Sequence, residues 1–358
     1  MDMTSQRELL RVSPACELPD LAGLLTAALA GSGPALGLAD INSAFCPSSI
    51  CLVIGTSGSS GVIKEVAFTP QSLLVSAKAA NAFIGAAHGS TWSLLLPTTH
   101  IAGINVIIRS MEVDTLPVDL RNFEGEFPAV DFTSVVPTQL FRALNSDDRL
   151  LRHLQSARAV LVGGAALTPV LREEAISAGI HIIETYGMTE TCGGCIYDGS
   201  ALNGVEFRIN LNGVVEIRGS LLADSYLNFP ALFKLHDGWF TTNDLGEVVD
   251  GKLKVKGRAD DVIISGGENL SLVAVEATLS VRFPEIEFAA FAINDAQWGQ
   301  ALHIGVVGDI SETDISHYLE AALGGIAKPK GIHFLDSLPL LGIGKTDRMA
   351  LTRMVEHE

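Results

Sequence analysis

A loop rich in glycine, serine and threonine follows an apolar segment early in the chain and ends in a lysine. The apolar segment covers residues 50–54, and the loop reads GTSGSSGVIK over residues 55–64. Glycines let backbone N–H groups approach an anion closely, hydroxyls add donors, and a lysine adds a point charge. The pattern therefore predicts a strand that opens into a phosphate-binding loop. The predicted phosphate contacts are Thr56, Ser57, Gly58, Ser59, Ser60, Gly61 and Lys64.

The spacing inside this loop argues against a P-loop NTPase. A Walker A loop needs Gly-Lys-Ser/Thr in direct succession. Here two residues separate Gly61 from Lys64, and Glu65 follows the lysine. A kinase or a P-loop ATPase, which would release ADP, is therefore disfavoured.

A second segment, ETYGMTE at residues 184–190, follows an apolar run. It is predicted at the carboxyl end of a strand, where α/β sheets bind ligands. The Tyr186 ring can stack on a purine, the Thr189 hydroxyl can donate to a phosphate, and the Glu190 carboxylate can hold Mg²⁺. The same residues also suit an ordinary helix start with a threonine and glutamate cap. The segment alone leaves both interpretations open.

Composition narrows the classes of partner. The chain has 358 residues and a formal net charge of −17, with 18% charged residues. A nucleic-acid partner would need a basic face, so none is expected. The N-terminus lacks a basic start followed by an apolar core, so we expect no signal peptide. The most apolar stretch, residues 94–111, contains Pro97, His100 and Arg109, so we expect no insertion into a membrane.

The cysteines indicate the redox compartment. There are five, an odd number, in a chain without a secretion signal, which predicts reduced thiols and a cytoplasmic location. Cys192 and Cys195 form one C-x-x-C pair, and a zinc site would need a second ligand pair at suitable spacing. The pair is therefore interpreted as two incidental thiols.

The elements that must position these residues alternate between strand and helix. Predicted strands are 50–54, 92–96, 132–136, 158–162 and 180–184, and predicted helices are 70–86, 101–111, 137–145 and 168–178. This alternation predicts an α/β fold whose mostly parallel sheet is covered by helices on both faces. Residues 1–45 are predicted as a short helical lead-in, with a helix over 20–29 that has Asp20 near its cap.

The pattern changes after about residue 200. Strict alternation of apolar and polar residues there predicts antiparallel strands in a small β-rich subdomain. Residues 257–261 are predicted as a linker, and the remaining residues, 262–358, as a small α+β domain.

Three further segments follow in a set order: DGWFTTND at 237–244, GRADDVIISGGENL at 257–270 and LPLLGIGKTDR at 338–348. Together with the two segments above, they resemble the acyl/aryl-CoA synthetase, luciferase and peptide-synthetase adenylation superfamily. The resemblance covers essentially the whole chain after residue 50, although Asn243 stands where the family has glycine. Because about 50 residues precede the phosphate loop, we expect a shortened N-terminal subdomain.

The resemblance implies an enzyme that uses ATP, Mg²⁺ and CoA. Asp244 and Arg258 would secure the ribose of ATP, and Lys345 would bridge the acyl carboxylate and the phosphate. Gly266 and Gly267 would let the pantetheine thiol of CoA approach. The implied adenine slot consists of Gly164, Ala165, Tyr186 and Gly187.

The resemblance also implies a domain organisation. Residues 1–257 would form the N-terminal adenylate-forming domain and residues 262–358 a mobile C-terminal domain. Residues 258–261 would be the hinge, with rotation about Asp260 between the two steps of the reaction. Relatives are often dimers, so a homodimer is expected.

The segment LPTTHIAGINVIIRS at 96–110 indicates the acid substrate. A histidine followed by Ile-Ala-Gly and by a cation nine residues later resembles the o-succinylbenzoate–CoA ligases of menaquinone synthesis. That small-molecule aryl acid is a dicarboxylate, and Arg109 offers a bidentate fork to the carboxylate that is not activated. Arg109 would equally suit a helix end, where the dipole favours a cation. His100 is predicted as a catalytic and substrate-binding residue that lines or gates the acid pocket, although a lone histidine beside an apolar helix is as often structural.

Other functions remain open from the sequence. Another aryl or acyl acid–CoA ligase would share all of these motifs, as would an enzyme that adenylates an acid for a carrier protein. A non-catalytic nucleotide-binding protein is the alternative from another class. The chain keeps five predicted site residues together, which argues against this alternative because a degenerate relative would be expected to lose some of them. These residues are Lys64, Glu190, Asp244, Arg258 and Lys345.

Overall fold

The chain divides into two compact units. The computed structural model describes residues 6–57, 63–295, 298–340 and 346–356. The first unit contains Met1–Ile209, Glu216–Thr242 and Val248–Lys254, and the second contains Asn210–Val215, Asn243–Glu247 and Val255–Glu358. Each unit has its own core.

Most helices have a proline in their first turn or a side chain that caps their N-terminus, and both are preferred at helix starts. The Thr69 side chain, for example, accepts a hydrogen bond from the Ser72 N–H ahead of the second helix. The helices are α1 Leu18–Leu29, α2 Pro70–Ile84, α3 Ile101–Glu112, α4 Pro137–Asn145, α5 Asp148–Ser156, α6 Pro169–Ser177, α7 Leu272–Arg282, α8 Glu312–Leu323 and α9 Arg348–Glu356.

The strands fall into several sheets. In chain order they are β1 Gln6–Arg11, β2 Ala35–Leu38, β3 Phe45–Pro47, β4 Leu52–Ser57, β5 Ile63–Phe68, β6 Trp92–Leu94, β7 Val118–Asp119, β8 Phe132–Val135, β9 Ala159–Gly163, β10 Ile182–Met188, β11 Gly193–Tyr197, β12 Ser200–Ala201, β13 Val205–Ile209, β14 Val214–Gly219, β15 Ser225–Tyr226, β16 Leu235–His236, β17 Trp239–Val249, β18 Lys252–Arg258, β19 Val262–Ser265, β20 Glu268–Ser271, β21 Glu287–Asp295, β22 Gly299–Val307 and β23 Gly331–Phe334.

One sheet of the first unit has the strand order β15-β5-β4-β2-β1-β3. Strands β1, β2 and β4 run parallel, whereas β5 and β15 are antiparallel to their neighbours. Of the predicted phosphate loop at 55–64, residues 55–57 belong to β4 and residues 63–64 to β5. The prediction of a short helical lead-in over residues 1–45 is wrong in part, because β1, β2 and the first residue of β3 also lie in this segment. Their apolar runs are too short for periodicity to separate strand from helix.

A second sheet of the first unit has the order β12-β11-β10-β9-β8-β6-β7. Strands β6 to β10 are all parallel, so their carboxyl ends lie at one edge. Side chains alternate between the faces of a strand. Val160 and Val162 of β9 pack against α4, α5 and α6 on one face. On the opposite face, Trp92 and Phe132 lie with ring centroids 5.3 Å apart, and the Arg109 guanidinium of α3 lies over Trp92. The predicted α/β class is confirmed.

The predicted helices of this unit match α2, α3, α4 and α6 to within two residues at each end. Helix α1 begins at Leu18, so Asp20 lies in its first turn rather than at the cap position, which is Glu17. Helix α5 was not predicted, because it is a short amphipathic helix directly after α4.

The second unit contains a sheet of order β20-β19-β22-β21, with β23 parallel to β22. Its core lies between this sheet and α7 and α8, around Val275, Leu279 and Leu319, which are completely buried. The unit is the α+β structure that the sequence predicts. No helix in the described residues is both long enough and apolar enough to span a bilayer.

A charged cluster ties the last helix of the second unit to its sheet. Both Glu276 carboxylate oxygens lie within 2.9 Å of Arg348 Nη2, and Arg348 Nε donates to the Ala290 carbonyl. Glu276 also accepts a hydrogen bond from the Ala290 N–H, and Arg348 Nη1 lies 3.5 Å from Asp261. Arg348 therefore serves as the cation for two carboxylates at once.

We predict that Arg348→Met loosens α9. The substitution leaves Glu276 without its cation, which should cost about 2–3 kcal/mol. Hydrogen exchange of the α9 backbone should accelerate accordingly. Arg353→Met, on an exposed position of the same helix, is the control and should leave exchange unchanged. Equal exchange in both variants would contradict a structural role for the cluster.

Candidate functional site

The stem of the predicted phosphate loop is a two-stranded antiparallel ladder. Thr56 of β4 pairs with Lys64 of β5, and the Thr56 hydroxyl lies 3.4 Å from the Lys64 carbonyl. Of the predicted phosphate contacts, Thr56, Lys64 and the Ser57 backbone lie within the described residues. Gly58, Ser59, Ser60 and Gly61 lie outside them, and so their assignment stays a prediction.

A buried carboxylate fixes the base of this stem. Glu65 is completely buried, and it accepts hydrogen bonds from the N–H groups of Asn42 and Ser43 and from the Ser43 hydroxyl. At Gly55 a methyl group would come within 2.2 Å of the Asp40 carbonyl oxygen, so only glycine allows the segment at 40–43 to lie this close. The stem is therefore held against that segment by donors to a carboxylate and by direct backbone contact.

The short strand β15 holds the stem from the other side. Asn228, which follows β15, accepts a hydrogen bond from the Glu65 N–H at 3.0 Å and donates to the Ile63 carbonyl at 2.8 Å. The Leu227 N–H donates to the Glu65 carbonyl. Sequence analysis did not single out this strand, which lies more than 150 residues from the loop in the chain.

The same strand reaches the predicted magnesium ligand. The Tyr226 hydroxyl donates to Glu190 Oε1 at 2.6 Å, and the Lys64 ammonium lies 4.9 Å from the centre of the Tyr226 ring. The structure thus brings together Lys64 and Glu190, two predicted site residues, through a tyrosine that was not predicted. Burial, together with the neighbouring Glu190 charge, raises the pKa of the Tyr226 phenol.

The carboxyl ends of β9 and β10 carry the predicted adenine slot. Thr185 pairs with Gly163, and a methyl at Gly163 would lie 2.2 Å from the Thr185 hydroxyl. Gly164 and Ala165, which are exposed, directly follow β9, and Tyr186 and Gly187 directly follow Thr185 in β10. The four predicted slot residues thus come just after the last paired residues of two adjacent strands: Gly164, Ala165, Tyr186 and Gly187. Whether they bind adenine stays a prediction.

Strand β10 continues to Met188, further than predicted, because β11 pairs with it antiparallel beyond the end of β9. Here Gly187 approaches so closely that a methyl would lie 2.0 Å from the Gly193 carbonyl oxygen. Thr189 and Glu190 lie in the single 3₁₀ turn that follows, which ends at Thr191. The Thr191 hydroxyl accepts from the Met188 N–H and donates to the Gly193 carbonyl, which closes the hairpin. Thr189 and Glu190, the predicted phosphate and metal residues, therefore do not begin a long helix, which was the alternative interpretation of this segment.

His100 and Arg109 lie at opposite ends of α3. His100 occupies the N-cap position without a capping hydrogen bond from its side chain, and burial lowers the pKa of its imidazole. At Gly103 a methyl would come 2.2 Å from the Pro97 carbonyl oxygen, which lets the first turn pack on the loop after β6. Nine residues at the helical rise separate the two backbones by about 13 Å.

Arg109 is buried, with 4% of its surface exposed. Its Nη2 donates to the Tyr197 hydroxyl at 3.1 Å, and its guanidinium lies 5.6 Å from the centre of the Trp92 ring. Its Nε has no hydrogen-bond partner within the part of the chain that the structure describes. Among the described residues no carboxylate lies within ion-pairing distance of this guanidinium. A buried cation in this state is costly unless an anion reaches it.

The predicted ribose residues lie in the second unit. Asp244 is buried, and Arg258 Nη1 lies 3.9 Å from Asp244 Oδ1, so the two are close. Asn243 lies in the extended strand β17, and a left-handed backbone occurs instead at Asp237 and Gly238, in the turn between β16 and β17. The backbone at Asn243 is therefore extended, a conformation that does not require glycine.

Gly266 and Gly267 form the two-residue turn between β19 and β20. Their φ angles are +58° and +85°, which a type I′ hairpin turn requires. A methyl at Gly266 would meet the Trp298 ring at 2.9 Å, whereas one at Gly267 would meet nothing within 4 Å in the structure. Asp260 lies in the 3₁₀ turn Ala259–Asp261, and Lys345 lies outside the described residues. The roles of these residues stay predictions.

Known proteins resemble the chain in sequence and structure. The family model of AMP-binding enzymes matches residues 13–213. A probable 2-succinylbenzoate–CoA ligase of Mycobacterium tuberculosis is 37% identical over 331 residues, which cover 86% of this chain and 85% of that protein. The 2-succinylbenzoate–CoA ligase of Lactococcus lactis is 32% identical, over 86% of this chain and 72% of that protein.

The chain belongs to the AMP-binding enzyme family. Among solved structures, the o-succinylbenzoate CoA synthetase of Bacillus subtilis, in complex with the acyl-adenylate intermediate OSB-AMP, has a TM-score of 0.74 and 26% identity. The match covers 86% of this chain and 70% of that one. The family predicted from the motifs is thereby confirmed. In this AMP-binding enzyme, Tyr226, Asn228 and Glu65 are the site neighbours that sequence reasoning missed.

The C-x-x-C thiols of this AMP-binding enzyme are free and buried. Burial raises the pKa of both Cys192 and Cys195 to about 12, and the described residues contain no group of three or more potential metal ligands. The interpretation of this pair as ordinary thiols stays a prediction.

We predict that iodoacetamide modifies one thiol of the native protein near neutral pH. Cys16 is the half-buried one, whereas Cys46 and Cys51 are buried and have pKa values raised to about 11 and about 12. Peptide mass mapping should find the label at Cys16 alone, and at all five cysteines after denaturation. Rapid native labelling of Cys192 or Cys195 would contradict the burial.

Proposed function

We propose that the protein is an AMP-forming ligase that joins o-succinylbenzoate to CoA, through an acyl-adenylate, in menaquinone biosynthesis. The observation that carries the choice of acid is the buried Arg109 guanidinium, which has no carboxylate partner among the described residues. The relatives named as 2-succinylbenzoate–CoA ligases support the same choice.

A dicarboxylic acid satisfies the charge requirement at Arg109. One carboxylate must be free to react, so a monocarboxylic acid would leave the buried cation unpaired. The second carboxylate of o-succinylbenzoate can accept hydrogen bonds from a guanidinium that the Tyr197 hydroxyl holds from one side. His100, at the other end of α3, has a pKa that burial lowers, and so it contributes little positive charge at neutral pH.

The residues near the phosphate-loop stem fit Mg²⁺ bound with ATP. Tyr226 occupies one oxygen of Glu190, and the other oxygen is available to a cation. Mg²⁺ takes one or two protein carboxylates together with phosphate oxygens and water. When bound, the ion would neutralise charge on the phosphates. Glu190 would hold it, and the Thr189 hydroxyl would donate to a phosphate oxygen.

In the first step, a carboxylate oxygen of the acid attacks the α-phosphorus of ATP. The bond from that phosphorus to the bridging oxygen breaks, pyrophosphate leaves, and an acyl-adenylate remains. Lys64 and the loop at 56–61 would hold the β- and γ-phosphates, and Lys345 would offset the developing charge. Asp244 would accept hydrogen bonds from both ribose hydroxyls.

In the second step, the thiolate of CoA attacks the acyl carbon, and AMP leaves as the C–O bond breaks. Gly266 and Gly267 would let the thiol approach. The proposal includes residues 258–261 as a hinge between residues 1–257 and 262–358, with rotation about Asp260 between the steps. It places the reaction in the cytoplasm, in keeping with the free cysteines, and it includes a homodimer.

The reaction itself gives the decisive experiment. We expect pyrophosphate release that depends on o-succinylbenzoate, ATP and Mg²⁺, and a CoA thioester by mass spectrometry when CoA is added. Pyrophosphate release only with other acids would indicate a CoA ligase of different specificity. Transfer to a phosphopantetheine-bearing carrier protein but not to CoA would indicate a carrier-adenylating enzyme. No release with any acid would indicate a non-catalytic nucleotide-binding protein.

We predict that Arg109→Met raises the KM for o-succinylbenzoate by about 10- to 100-fold, because a charge-assisted hydrogen bond is lost. The KM for ATP should stay unchanged. The matched control is the analogue without the ring carboxylate, 4-oxo-4-phenylbutanoate. Wild type and Arg109→Met should use this analogue equally well. If the variant loses activity equally with both acids, the substitution has damaged the fold and Arg109 is not the carboxylate partner.

We predict that Lys345→Ala abolishes adenylate formation but spares the conversion of a supplied acyl-adenylate to the thioester. The cation acts while negative charge develops at the α-phosphate, a charge that the second step does not generate in the same way. Rapid-quench assays of each half-reaction measure the two rates. Equal loss of both would contradict the role assigned to Lys345.

A further inference from the structure

Tyr226 lies outside the segments from which the site was predicted, yet it contacts two of the predicted site residues. It is 4% exposed. Its hydroxyl donates to Glu190 Oε1 at 2.6 Å, and the Lys64 ammonium lies 4.9 Å from the centre of its ring. The phenol thus lies between the end of the phosphate loop and the carboxylate that would hold the metal.

We propose that Tyr226 is a positioning residue, which orients the Glu190 carboxylate toward the metal–nucleotide and keeps Lys64 beside it. The inference rests on the proposed function only in so far as Glu190 takes Mg²⁺ with ATP; it does not depend on which acid is activated.

The geometry around Glu190 explains why it needs a partner. Glu190 lies in a one-turn 3₁₀ segment, and a glutamate side chain has several rotatable bonds that must be fixed before its carboxylate can hold a cation. Fixing such a side chain costs conformational entropy. A hydrogen bond that already fixes it before the nucleotide arrives removes part of that cost from binding. Because Tyr226 occupies only Oε1, Oε2 keeps its acceptor capacity for a cation.

Tyr226 can serve as a fixed donor because its own strand is firmly held. β15 pairs with β5 through Ser225 and Tyr226, and Asn228 makes two hydrogen bonds to the β5 backbone. The Phe233 ring packs edge-on against Tyr226, with centroids 5.2 Å apart. The Ala223 N–H, three residues before Tyr226, donates to the Glu190 carbonyl at 2.8 Å. Both the backbone and the side chain of Glu190 are therefore held by one short segment.

The arrangement also places the lysine. A cation over the face of an aromatic ring is attracted by its quadrupole. Lys64 therefore has a resting position over the Tyr226 ring, on the strand that follows the phosphate loop. The ring and the hydroxyl of one residue thus act on two different charges, and substitutions can separate them.

The experiment measures nucleotide binding rather than turnover. Calorimetry would give the Kd for ATP in the presence of Mg²⁺ and in EDTA, and electron paramagnetic resonance would follow Mn²⁺ in the presence of ATP. Tyr226→Phe keeps the ring and removes the hydroxyl. We expect this variant to raise the Kd for metal-bound ATP about tenfold and to leave the Kd for ATP in EDTA unchanged. Tyr318→Phe, a tyrosine of the second unit, is the control and should change neither.

Two further variants separate positioning from packing. In a Glu190→Gln background, Tyr226→Phe should add little, because the two residues act as a pair. Tyr226→Leu, which also removes the ring, should weaken ATP binding in EDTA as well, through Lys64. Circular dichroism and thermal unfolding would verify that each variant is folded.

Three outcomes would overturn the inference: wild-type affinity of Tyr226→Phe for metal-bound ATP, equal weakening with and without metal, or full additivity with Glu190→Gln. Failure of the proposed function looks different. A wild-type protein that binds metal-bound ATP and activates another acid would refute the choice of o-succinylbenzoate and leave the role of Tyr226 intact. A wild-type protein that binds no metal-bound ATP would refute both.

Discussion

The parallel register of β9 and β10 is the constraint on which the candidate site depends. Because the two strands end at the same edge, the turn after Gly163 and the hairpin after Thr185 are neighbours. The two strands approach so closely that a methyl at Gly163 would come 2.2 Å from the Thr185 hydroxyl, and where β10 goes on to pair with β11 a methyl at Gly187 would come 2.0 Å from the Gly193 carbonyl oxygen. Glycine is therefore required at both positions, one beside the predicted adenine slot and one just before the Glu190 turn.

Two buried charges in the first unit differ in how completely they are compensated. No described residue supplies a cation to Glu65, but two backbone N–H groups and a hydroxyl satisfy it, and it serves to anchor the phosphate-loop stem. Arg109 has one hydroxyl and one aromatic face, and its Nε is left without a partner. The Glu65 carboxylate is hydrogen-bonded within the folded protein, so its burial needs no ligand. The second arrangement becomes favourable only when an anion binds, which is the physical reason to connect Arg109 with a substrate rather than with stability.

The sequence was sufficient to predict residues that sit in continuous motifs. Helices α2 and α3, the strand that leads into the phosphate loop, and the placement of Tyr186 to Glu190 at a strand end all follow from local periodicity and from spacing. Tyr226 could not be found in this way. Its strand, β15, has two residues and no period, and its partner strand β5 lies far away in the chain. Only pairing in three dimensions brings it to Lys64 and Glu190.

The net charge of −17 constrains how such a protein can bind its substrates. ATP, CoA and o-succinylbenzoate are all anions, so the overall field opposes their approach rather than steering it. Recognition must then come from a few cations held at fixed positions and from backbone N–H groups. Lys64 over the Tyr226 ring, Arg109 beside Tyr197 and Arg258 near Asp244 are each placed by a neighbouring side chain. In a chain this acidic, the residues that position a cation matter for binding as much as the cation does.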